Sequence, residues 1–462
     1  MKNIKLSLFG RVVLGVVIGL ALLAGPMASR ANQRLDFSRV NPAEYVHDEV
    51  VVKFKDADRF SRVAVGQGES VVQVVERFNR RPDVEYAEPN FKAFTLSALD
   101  VLYDEVNRDP AQYPDYTDQK YAEQWALNNE GKTGGTVGAD VDWPEARDYL
   151  VSNAVGLDQT VVAVVDTGMD VTHPDLNDKV YASYSVLDGT GDVTDGFGHG
   201  THVAGTVASE TNNYEADRYE GVASVGFDGA IKLFPIKVLD DSGSGTNADV
   251  AEGIYYAADH GANVINLSLG SYWDSQVVKD SVNYAWNKGL VIAAAAGNSG
   301  NKRKVYPAYY EKVISVAATD HADRVASFST HNNGVDVSAP GVDVLSTFPY
   351  TGSFGIQDLY GRMNKYDVGS GTSMASPHVA GLAALLLAQH SDWSNSDVRA
   401  VIESTVDDLG KTGWDEYYGH GRINVLSAVM SDGAVVPTPT PTPADDGGSD
   451  SCPPGWQKQG RC

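Results

Sequence analysis

Three short motifs in this chain carry the residue types of a nucleophilic catalytic triad. Ser373 lies among small residues that lead into the apolar stretch 382–388, which predicts a buried helix with Ser373 at or just before its first turn. Asp166 directly follows the apolar run 161–165, and His199 lies in a glycine-rich loop before another apolar stretch. A serine hydroxyl attacks a carbonyl group only when a base takes its proton and a third group orients that base. The order aspartate, histidine, serine therefore predicts acyl-transfer chemistry.

Each of these residues also has a structural interpretation. Ser373 could be the N-cap of the helix that follows it, since serine is common at that position. Asp166 could be a turn residue at a strand end, and His199 could be a structural histidine. Pro377 agrees with a helix start, because a proline in the first turn removes no helical hydrogen bond.

The segments between the motifs alternate between strands and helices. Apolar runs predict buried strands at residues 161–165, 231–239, 262–269, 290–296 and 313–318. Helices are predicted at residues 249–260, 275–288 and 373–389. Apolar strands separated by helices predict an α/β fold, a doubly wound parallel sheet with helices on both faces. The active site is expected beyond the carboxyl ends of its strands.

Composition and the N-terminus bound the functional class. With 462 residues, 42% of them hydrophobic, the chain can bury a large core, and its net charge of −25 argues against nucleic acid as a partner. Basic residues, the apolar run 12–24 and small residues up to Ala31 predict a secretory signal peptide over residues 1–31. A membrane anchor is the alternative, but the run is shorter than the ~20 residues that span a bilayer. We expect a secreted, extracellular protein without a membrane span in its mature form.

The two ends of the remaining chain differ from its centre. Residues 44–94 have the pattern of a small α+β domain, with a strand at 49–54 and a helix at 70–79. Residues 431–451 form a linker rich in Pro, Thr, Asp and Gly, which cannot pack as a core. Cys452 and Cys462 are expected to form a disulfide that clips a short tail, residues 452–462.

Taken together, the motifs resemble those of the subtilisin-like serine proteases, peptidase family S8. The resemblance rests on Asp166-Thr167-Gly168, His199-Gly200-Thr201-His202 and Gly371-Thr372-Ser373-Met374-Ala375, and stretches at 256–259, 282–289 and 306–310 are similar to the thermitase subgroup. It implies a catalytic domain at residues 118–430 that hydrolyses peptide bonds through an acyl-enzyme. His199 would be the base and Asp166 its orienting carboxylate, with Ser373 as nucleophile and Asn298 as an oxyanion donor. His202 matches a second, non-catalytic histidine of the family.

The resemblance extends to the N-terminal segment. Residues 84–90 resemble the inhibitory propeptide of the same family, which implies that residues 44–94 are an intramolecular inhibitor. The precursor is then a self-processing zymogen with its processing site between about residues 91 and 118. Its partners would be protein and peptide substrates together with its own propeptide, and we expect a monomer.

Substrate binding in this family adds the peptide backbone as a strand between two enzyme segments. The matching residues here are Ser242, Gly243, Ser244, Gly245, Leu267, Ser268, Leu269 and Gly270. A pocket for the residue before the scissile bond would be lined by Ala295, Ala296, Gly297 and residues near Val305 and Tyr306, which favours a broad, apolar preference. Extra residues at about 350–365, and Ser370 where asparagine is common, depart from the family pattern.

Calcium is a further implication of the resemblance. Asp175 and Asn213 match a family site of aspartate, asparagine and backbone oxygens, and Asp118 is a third candidate ligand. Each of them alone is also compatible with a solvated polar residue.

Two other functions fit part of the sequence. An aspartic protease is one, because Asp166-Thr167-Gly168 and Asp241-Ser242-Gly243 both fit its short motif, but those enzymes are all-β. A non-catalytic peptide-binding α/β module is the other, and the complete set of triad residues argues against it.

Overall fold

The computed structural model describes residues 40–96, 118, 120–132, 134–211, 221–227, 229–349 and 365–433. The predicted signal peptide, Asn213, most of the insertion at 350–365, most of the linker and the cysteine-containing tail lie outside these residues. From Asn41 onward the described residues belong to one packing unit. Among its helices, none is long and apolar enough to cross a membrane.

An antiparallel sheet and one helix form what we call the N-terminal lobe, residues 41–96. Its elements are β1 (Tyr45–Phe54), β2 (Ser61–Ala64), α1 (Val71–Asn79) and β3 (Val84–Thr95), with strand order β2-β1-β3. Helix α1 begins where Ser70 and Gln73 form a capping box, and it buries Val71, Val74, Val75 and Phe78. This segment confirms the predicted strand and helix.

A seven-stranded parallel sheet forms the centre of the rest of the chain, which we call the main lobe. Its strands are β4 (Thr160–Asp166), β5 (Tyr184–Ser185), β6 (Ile231–Lys237), β8 (Val264–Leu267), β10 (Val291–Ala295), β11 (Ile314–Thr319) and β12 (Val337–Pro340). Their order is β12-β11-β10-β8-β4-β6-β5, and every pairing is parallel. Strand order reverses between β4 and β8, so the crevice at their carboxyl ends is where a ligand site is expected.

Helices cover both faces of this sheet. They are α2 (Trp143–Ser152), α3 (His199–Ala208), α4 (Asn247–Asp259), α5 (Gln276–Asn287), α6 (Thr372–Gln389), α7 (Asn395–Ser404) and α8 (Val425–Val429). Successive residues of β4 show the division: Val162 and Val164 pack on the side of α3 and α6, and Val161, Ala163 and Val165 on the side of α4 and α5. The predicted doubly wound fold is confirmed.

Short strands complete the frame around the crevice. Strands β7 (Ser244–Thr246) and β9 (Leu269–Gly270) both pair with β3 of the N-terminal lobe, and β13 (Val344–Thr347) pairs with β14 (Tyr366–Gly369). Strand β3 therefore belongs to both lobes, and its last residues lie between β7 and β9.

The N-terminal lobe docks on the ends of α4 and α5. Glu88 accepts hydrogen bonds from Ser275 Oγ at 2.7 Å, Gln276 N at 3.0 Å and Val277 N at 3.1 Å, where the first turn of α5 has unpaired N–H groups. Burial raises the pKa of Glu88 to about 7, although these hydrogen bonds act in the opposite direction and lower it.

Further polar contacts and one aromatic pair extend the same interface. Arg62 donates to Asp249 at 2.7 Å, and Ala248 N donates to Asn90 Oδ1 at 3.0 Å. The rings of Phe91 and Trp273 stack with centroids 5.3 Å apart.

Three interpretations from the sequence are overturned by the fold. An aspartic protease is excluded because the sheet is parallel and covered by helices, not all-β. Pro377 lies inside α6 and not in its first turn, because the helix already begins at Thr372. The residue at the N-cap is Gly371, so the interpretation of Ser373 as a cap is also wrong.

Candidate active site

Asp166 and His199 lie side by side at the carboxyl end of β4. Asp166 is the last residue of that strand, His199 is the first residue of α3, and both side chains are buried. The distance from His199 Nδ1 to Asp166 Oδ1 is 2.7 Å. A carboxylate accepts only, so Nδ1 carries the proton and Nε2 is left as the basic nitrogen. Within the described residues, Nε2 is buried and has no hydrogen-bond partner.

Two residues that we did not single out from the sequence hold this pair in place. Asp195 is buried and accepts hydrogen bonds from the backbone of Phe197, Gly198 and Thr201 and from the hydroxyls of Thr167 and Thr201. Thr167 Oγ1 in turn accepts from Gly200 N at 2.9 Å. The end of β4 is thereby tied to the start of α3. An aspartate in a Gly-rich turn four residues before the histidine is the only sequence signal for this role.

Ser373 lies in the first turn of α6, a helix that packs against α3. Its Oγ donates to the carbonyl oxygen of Ser268 at 2.9 Å, so it must rotate to reach a base. Its own carbonyl oxygen would bond the N–H of residue 377 in a regular helix, but Pro377 has none. The hydroxyl of Ser268 donates to that carbonyl instead, at 2.8 Å.

Asn298 follows β10 and points its amide group toward the start of α6. Its Oδ1 accepts hydrogen bonds from Thr372 N and Thr372 Oγ1, both at 2.9 Å. That orientation leaves Nδ2 to donate to the carbonyl oxygen of Leu96. Ser373 N donates to the same oxygen at 3.4 Å. One carbonyl group is therefore held by two converging donors, which is the geometry of an oxyanion hole.

The end of the N-terminal lobe occupies the crevice as an added strand. Residues 92–94 pair antiparallel with β7, and Phe94 and Thr95 pair with β9. At the end of the strand, Thr95 N donates to Gly243 O at 3.1 Å, and just beyond it Leu96 N donates to Ser268 O at 3.3 Å. Glycine is required at one edge, since a Cβ at Gly270 would lie 2.6 Å from Val305 Cγ1 and 3.1 Å from Leu96 Cδ1. Leu96 packs against Ala295 and Val305 in an apolar pocket.

The structure brings most of the predicted substrate-binding residues to this strand. Backbone contacts with residues 92–96 involve Gly243, Ser244, Gly245, Ser268, Leu269 and Gly270. The other predicted residues have different surroundings. The hydroxyl of Ser242 donates to Asp240, and Ala296 packs against Ala317 and Val335. Leu267 is the last residue of β8, and its side chain packs in the core on the side of α4 and α5. Gly297 has a φ of 112°, and a Cβ there would lie 2.5 Å from Val305 Cγ2.

The candidate calcium ligands lie apart from the catalytic residues. Asp118 and Asp175 are buried, and Asp175 Oδ2 accepts from Val222 N at 3.0 Å. Lys120 N donates to the neighbouring Gly221 O at 3.0 Å, so the segments of both aspartates meet at residues 221–222. Buried carboxylates and backbone carbonyls are the oxygen donors that calcium takes, and in ligand type they fit. Among the described residues no group of three or more His, Cys, Asp or Glu could hold a metal ion, so a site would need further oxygens from backbone or amide groups.

Comparisons with known proteins identify the family of this chain. The model of the subtilase family matches residues 158–421, and a model of the fervidolysin N-terminal prodomain matches residues 56–90. The chain is 40% identical over 387 residues to a thermophilic serine proteinase of Bacillus sp. (strain AK1), covering 83% of this chain and 88% of that protein. It is 46% identical over 269 residues to thermitase of Thermoactinomyces vulgaris, covering 58% of this chain and 88% of thermitase.

A solved structure extends the likeness to both lobes. Fervidolysin from Fervidobacterium pennivorans, described as a keratinolytic enzyme related to subtilisin, matches with a TM-score of 0.68 and 29% identity. The match covers 86% of this chain and 63% of fervidolysin. The chain therefore belongs to the subtilase family, and it is a thermitase-like serine endopeptidase that carries an N-terminal prodomain.

Proposed function

We propose that this protein is a secreted endopeptidase whose precursor cuts its own chain after Leu96. The observation that carries the proposal is the carbonyl oxygen of Leu96, which accepts hydrogen bonds from both Asn298 Nδ2 and Ser373 N. A substrate held in this way presents its carbonyl carbon to the serine of the same first turn. The Leu96 side chain, between Ala295 and Val305, supports an apolar preference for the residue before the cut.

The reaction follows from the roles we assign to the buried residues. Ser373 Oγ turns from Ser268 O, gives its proton to His199 Nε2 and attacks the Leu96 carbonyl carbon. Asp166 stabilises the imidazolium, and Asn298 and Ser373 N stabilise the oxyanion. Losing one such donor raises the barrier by on the order of 3 kcal/mol, the value known from subtilisin itself. The imidazolium then protonates the amine of Ser97, which leaves, and water hydrolyses the ester between Leu96 and Ser373.

Self-processing predicts a specific defect in a nucleophile variant. We expect Ser373→Ala to accumulate as a folded, uncut precursor, whereas the wild type yields a mature chain that begins at Ser97. Intact mass and N-terminal sequencing of both proteins, expressed in a protease-deficient host, measure this. Ser404→Ala, a serine on the exposed side of α7, is the matched control and should be processed normally.

Two outcomes would contradict parts of the proposal. A Ser373→Ala chain shortened at the same bond would show that another protease performs the maturation. A mature wild-type chain that begins at a residue other than Ser97 would show that the docked carbonyl of Leu96 is not the one attacked. Leu96→Asp tests the position of the bond independently, because its carboxylate would enter the apolar pocket and we expect the first cut to slow or move.

The rest of the chain is assigned in the same proposal. We propose residues 1–31 as the signal peptide, 44–94 as the inhibitory propeptide, 118–430 as the catalytic domain, 431–451 as a linker and 452–462 as a tail clipped by a disulfide. We also propose a monomer and structural calcium at Asp118 and Asp175, with Asn213 contributing. Asp175 supports the calcium assignment because it is a fully buried carboxylate.

A further inference from the structure

Three consecutive basic residues interrupt the acidic character of this protein beside its substrate strand. The chain carries a net charge of −25, yet Lys302, Arg303 and Lys304 follow one another and are exposed. We call them the basic loop. Both ends of this loop adjoin residues of the candidate active site. The loop begins shortly after Asn298, and it ends at Val305, which packs against Leu96.

Of the three cations, Arg303 faces the docked strand. Its guanidinium carbon lies 3.4 Å from the centroid of the Tyr272 ring, and that ring lies 5.2 Å from the ring of Phe94. Lys302 forms an ion pair with Glu416 at 2.7 Å, and Lys304 lies over Tyr309. Within the described part of the chain, no carboxylate forms an ion pair with Arg303. Stacking on an aromatic face holds a guanidinium in a defined position while its charge stays available.

Phe94 marks the place of one substrate residue. Leu96 supplies the carbonyl held by the two oxyanion donors, so Phe94 is the third residue counted back from the scissile bond. Its backbone pairs with Ser244 and Gly270, and its partly exposed side chain extends over Tyr272. A longer, charged side chain at this position would reach toward Arg303.

We propose that Arg303 determines specificity at this third position, favouring acidic side chains in substrates and disfavouring basic ones. The inference rests on the proposed function, because it takes residues 92–96 as the image of a bound substrate. Phe94 carries no charge, so the docked propeptide shows only the contact of this position with the Tyr272 ring and not the effect of Arg303 on a charged side chain. An exposed charge pair contributes little free energy. Attraction between Arg303 and Glu and repulsion between Arg303 and Lys both enter the comparison of the two substrates, so we expect a preference for Glu over Lys of about fivefold.

The test uses peptides of sequence Ala-Xaa-Thr-Leu with a chromogenic amide, in which Xaa is Glu, Gln or Lys. For mature wild-type enzyme we expect kcat/KM to be about fivefold higher with Glu than with Lys, mainly through KM, and the ratio to fall in high salt. We expect Arg303→Ala to bring the ratio near one, Arg303→Glu to invert it and Arg303→Lys to restore part of it. Lys232→Glu is the control, because Lys232 lies near the amino end of β6, away from the crevice.

The outcomes separate this inference from the proposed function. Cleavage of the Gln peptide by every variant shows that catalysis and folding are intact. With that activity present, a wild-type ratio at or below one, or a preference that survives in Arg303→Ala, overturns the role of Arg303. Failure of the wild type to cut the Gln peptide overturns the proposed use of the crevice, and the inference with it.

Discussion

At the scale of single residues, the orientation of His199 depends on a side chain that has no chemical role in the reaction. Asp195 binds the backbone on both sides of His199 and the hydroxyl next to Asp166. Because both of its oxygens act as acceptors, an amide of the same size cannot replace it. In an asparagine at this position, Nδ2 would replace one carboxylate oxygen and would point its own N–H groups at N–H or O–H donors.

We therefore expect Asp195→Asn to lower kcat by about tenfold to a hundredfold with little change in KM, since small displacements of a catalytic group have effects of that size. The unfolding free energy should fall by about 1–3 kcal/mol because buried donors lose their acceptor. Steady-state kinetics, and thermal unfolding in a Ser373→Ala background, measure the two effects. Asp188→Asn, an exposed aspartate with similar turn hydrogen bonds, should change neither. Unchanged kcat in Asp195→Asn would remove the positioning role.

The sequence predicted the residues to which we assign the reaction, but not the residues that position them. Asp166, His199, Ser373 and Asn298 stand in short motifs, so local spacing was enough to select them. Asp195 and Thr167 act through contacts between two loops, and composition alone carries no sign of such contacts. The roles assigned to the motif residues stay predictions until the variants are measured.

At the scale of elements, the first turn of α6 is held by the residue that links β8 and β9, at the point where the hydrogen bonding of the helix itself fails. Pro377 leaves the Ser373 carbonyl without a helical donor, and Ser268 supplies one from the loop that also contacts the substrate strand. The nucleophile and the substrate edge are thus joined through one hydroxyl. Asn266 fixes that hydroxyl by donating to it at 2.9 Å.

A double-mutant cycle tests this connection. Ser268→Ala should cost about 1–3 kcal/mol of unfolding free energy, because it leaves the buried Ser373 carbonyl unsatisfied. In a Pro377→Ala background the same change should cost less, since the alanine introduced there has an N–H that can bond Ser373 O. Chemical denaturation of inactive Ser373→Ala proteins gives all four values. Equal costs in both backgrounds would show that the two residues do not share this carbonyl.

We expect the contact between Glu88 and α5 to make release of the prodomain dependent on pH. Burial raises the pKa of Glu88 to about 7 in the docked state, whereas a free glutamate titrates near 4.5. A raised pKa means that docking takes up a proton, so this contribution is complete below pH 4.5 and is lost as pH rises through 7. We expect the cleaved prodomain to leave more readily at pH 8 than at pH 5.

Gel filtration of the cleaved complex at these two pH values measures the release. Glu88→Gln should flatten the difference, because an amide has no proton to lose. Glu85→Gln is the matched control, since Glu85 is exposed on the same strand. Identical pH dependence in wild type and Glu88→Gln would assign the effect to another group.

At the scale of the whole molecule, five of the seven strands of the parallel sheet were predictable, whereas β5, β12 and the joining of the two lobes were not. All five predicted strands occur within a few residues of their expected positions, because apolar runs of that length form buried parallel strands. The first of them, β4, is fully buried along its length. Strand β3 escaped detection because Pro89 and charged residues interrupt its pattern. Its last partners also lie far along the chain, about 150 residues away in β7 and about 175 in β9. Strand β13 is short, and its pairing with β14 depends on contacts across the insertion.

Calcium is expected to act on this whole framework and not on the reaction. Asp118 and Asp175 lie away from Ser373. Residues 221–222 are bound from both segments, since Lys120 N donates to Gly221 O and Val222 N donates to Asp175 Oδ2. A ligand that binds only the folded state at a hundredfold excess over its Kd adds about 2.7 kcal/mol. Chelator should therefore lower the Tm while activity at ambient temperature changes little.

Differential scanning fluorimetry with and without chelator measures the effect. In Asp175→Asn the Tm should already be low, and chelator should add little. A wild-type Tm that does not respond to chelator would remove calcium from the description of this protein.

Strand β3 pairs with β7 on one side and β9 on the other, so its departure in the proposed maturation would leave two unpaired edges with a slot between them. Only a chain in extended conformation can fill that slot, because its N–H and C=O groups must pair on both sides. A segment inside a folded target already uses those groups in its own helices or sheets, and it must come loose before it can enter. The mature enzyme would then select its targets first by their local unfolding. A site would be cut according to how often about five consecutive residues detach from the folded target, and side-chain preference would act only on segments that have already detached.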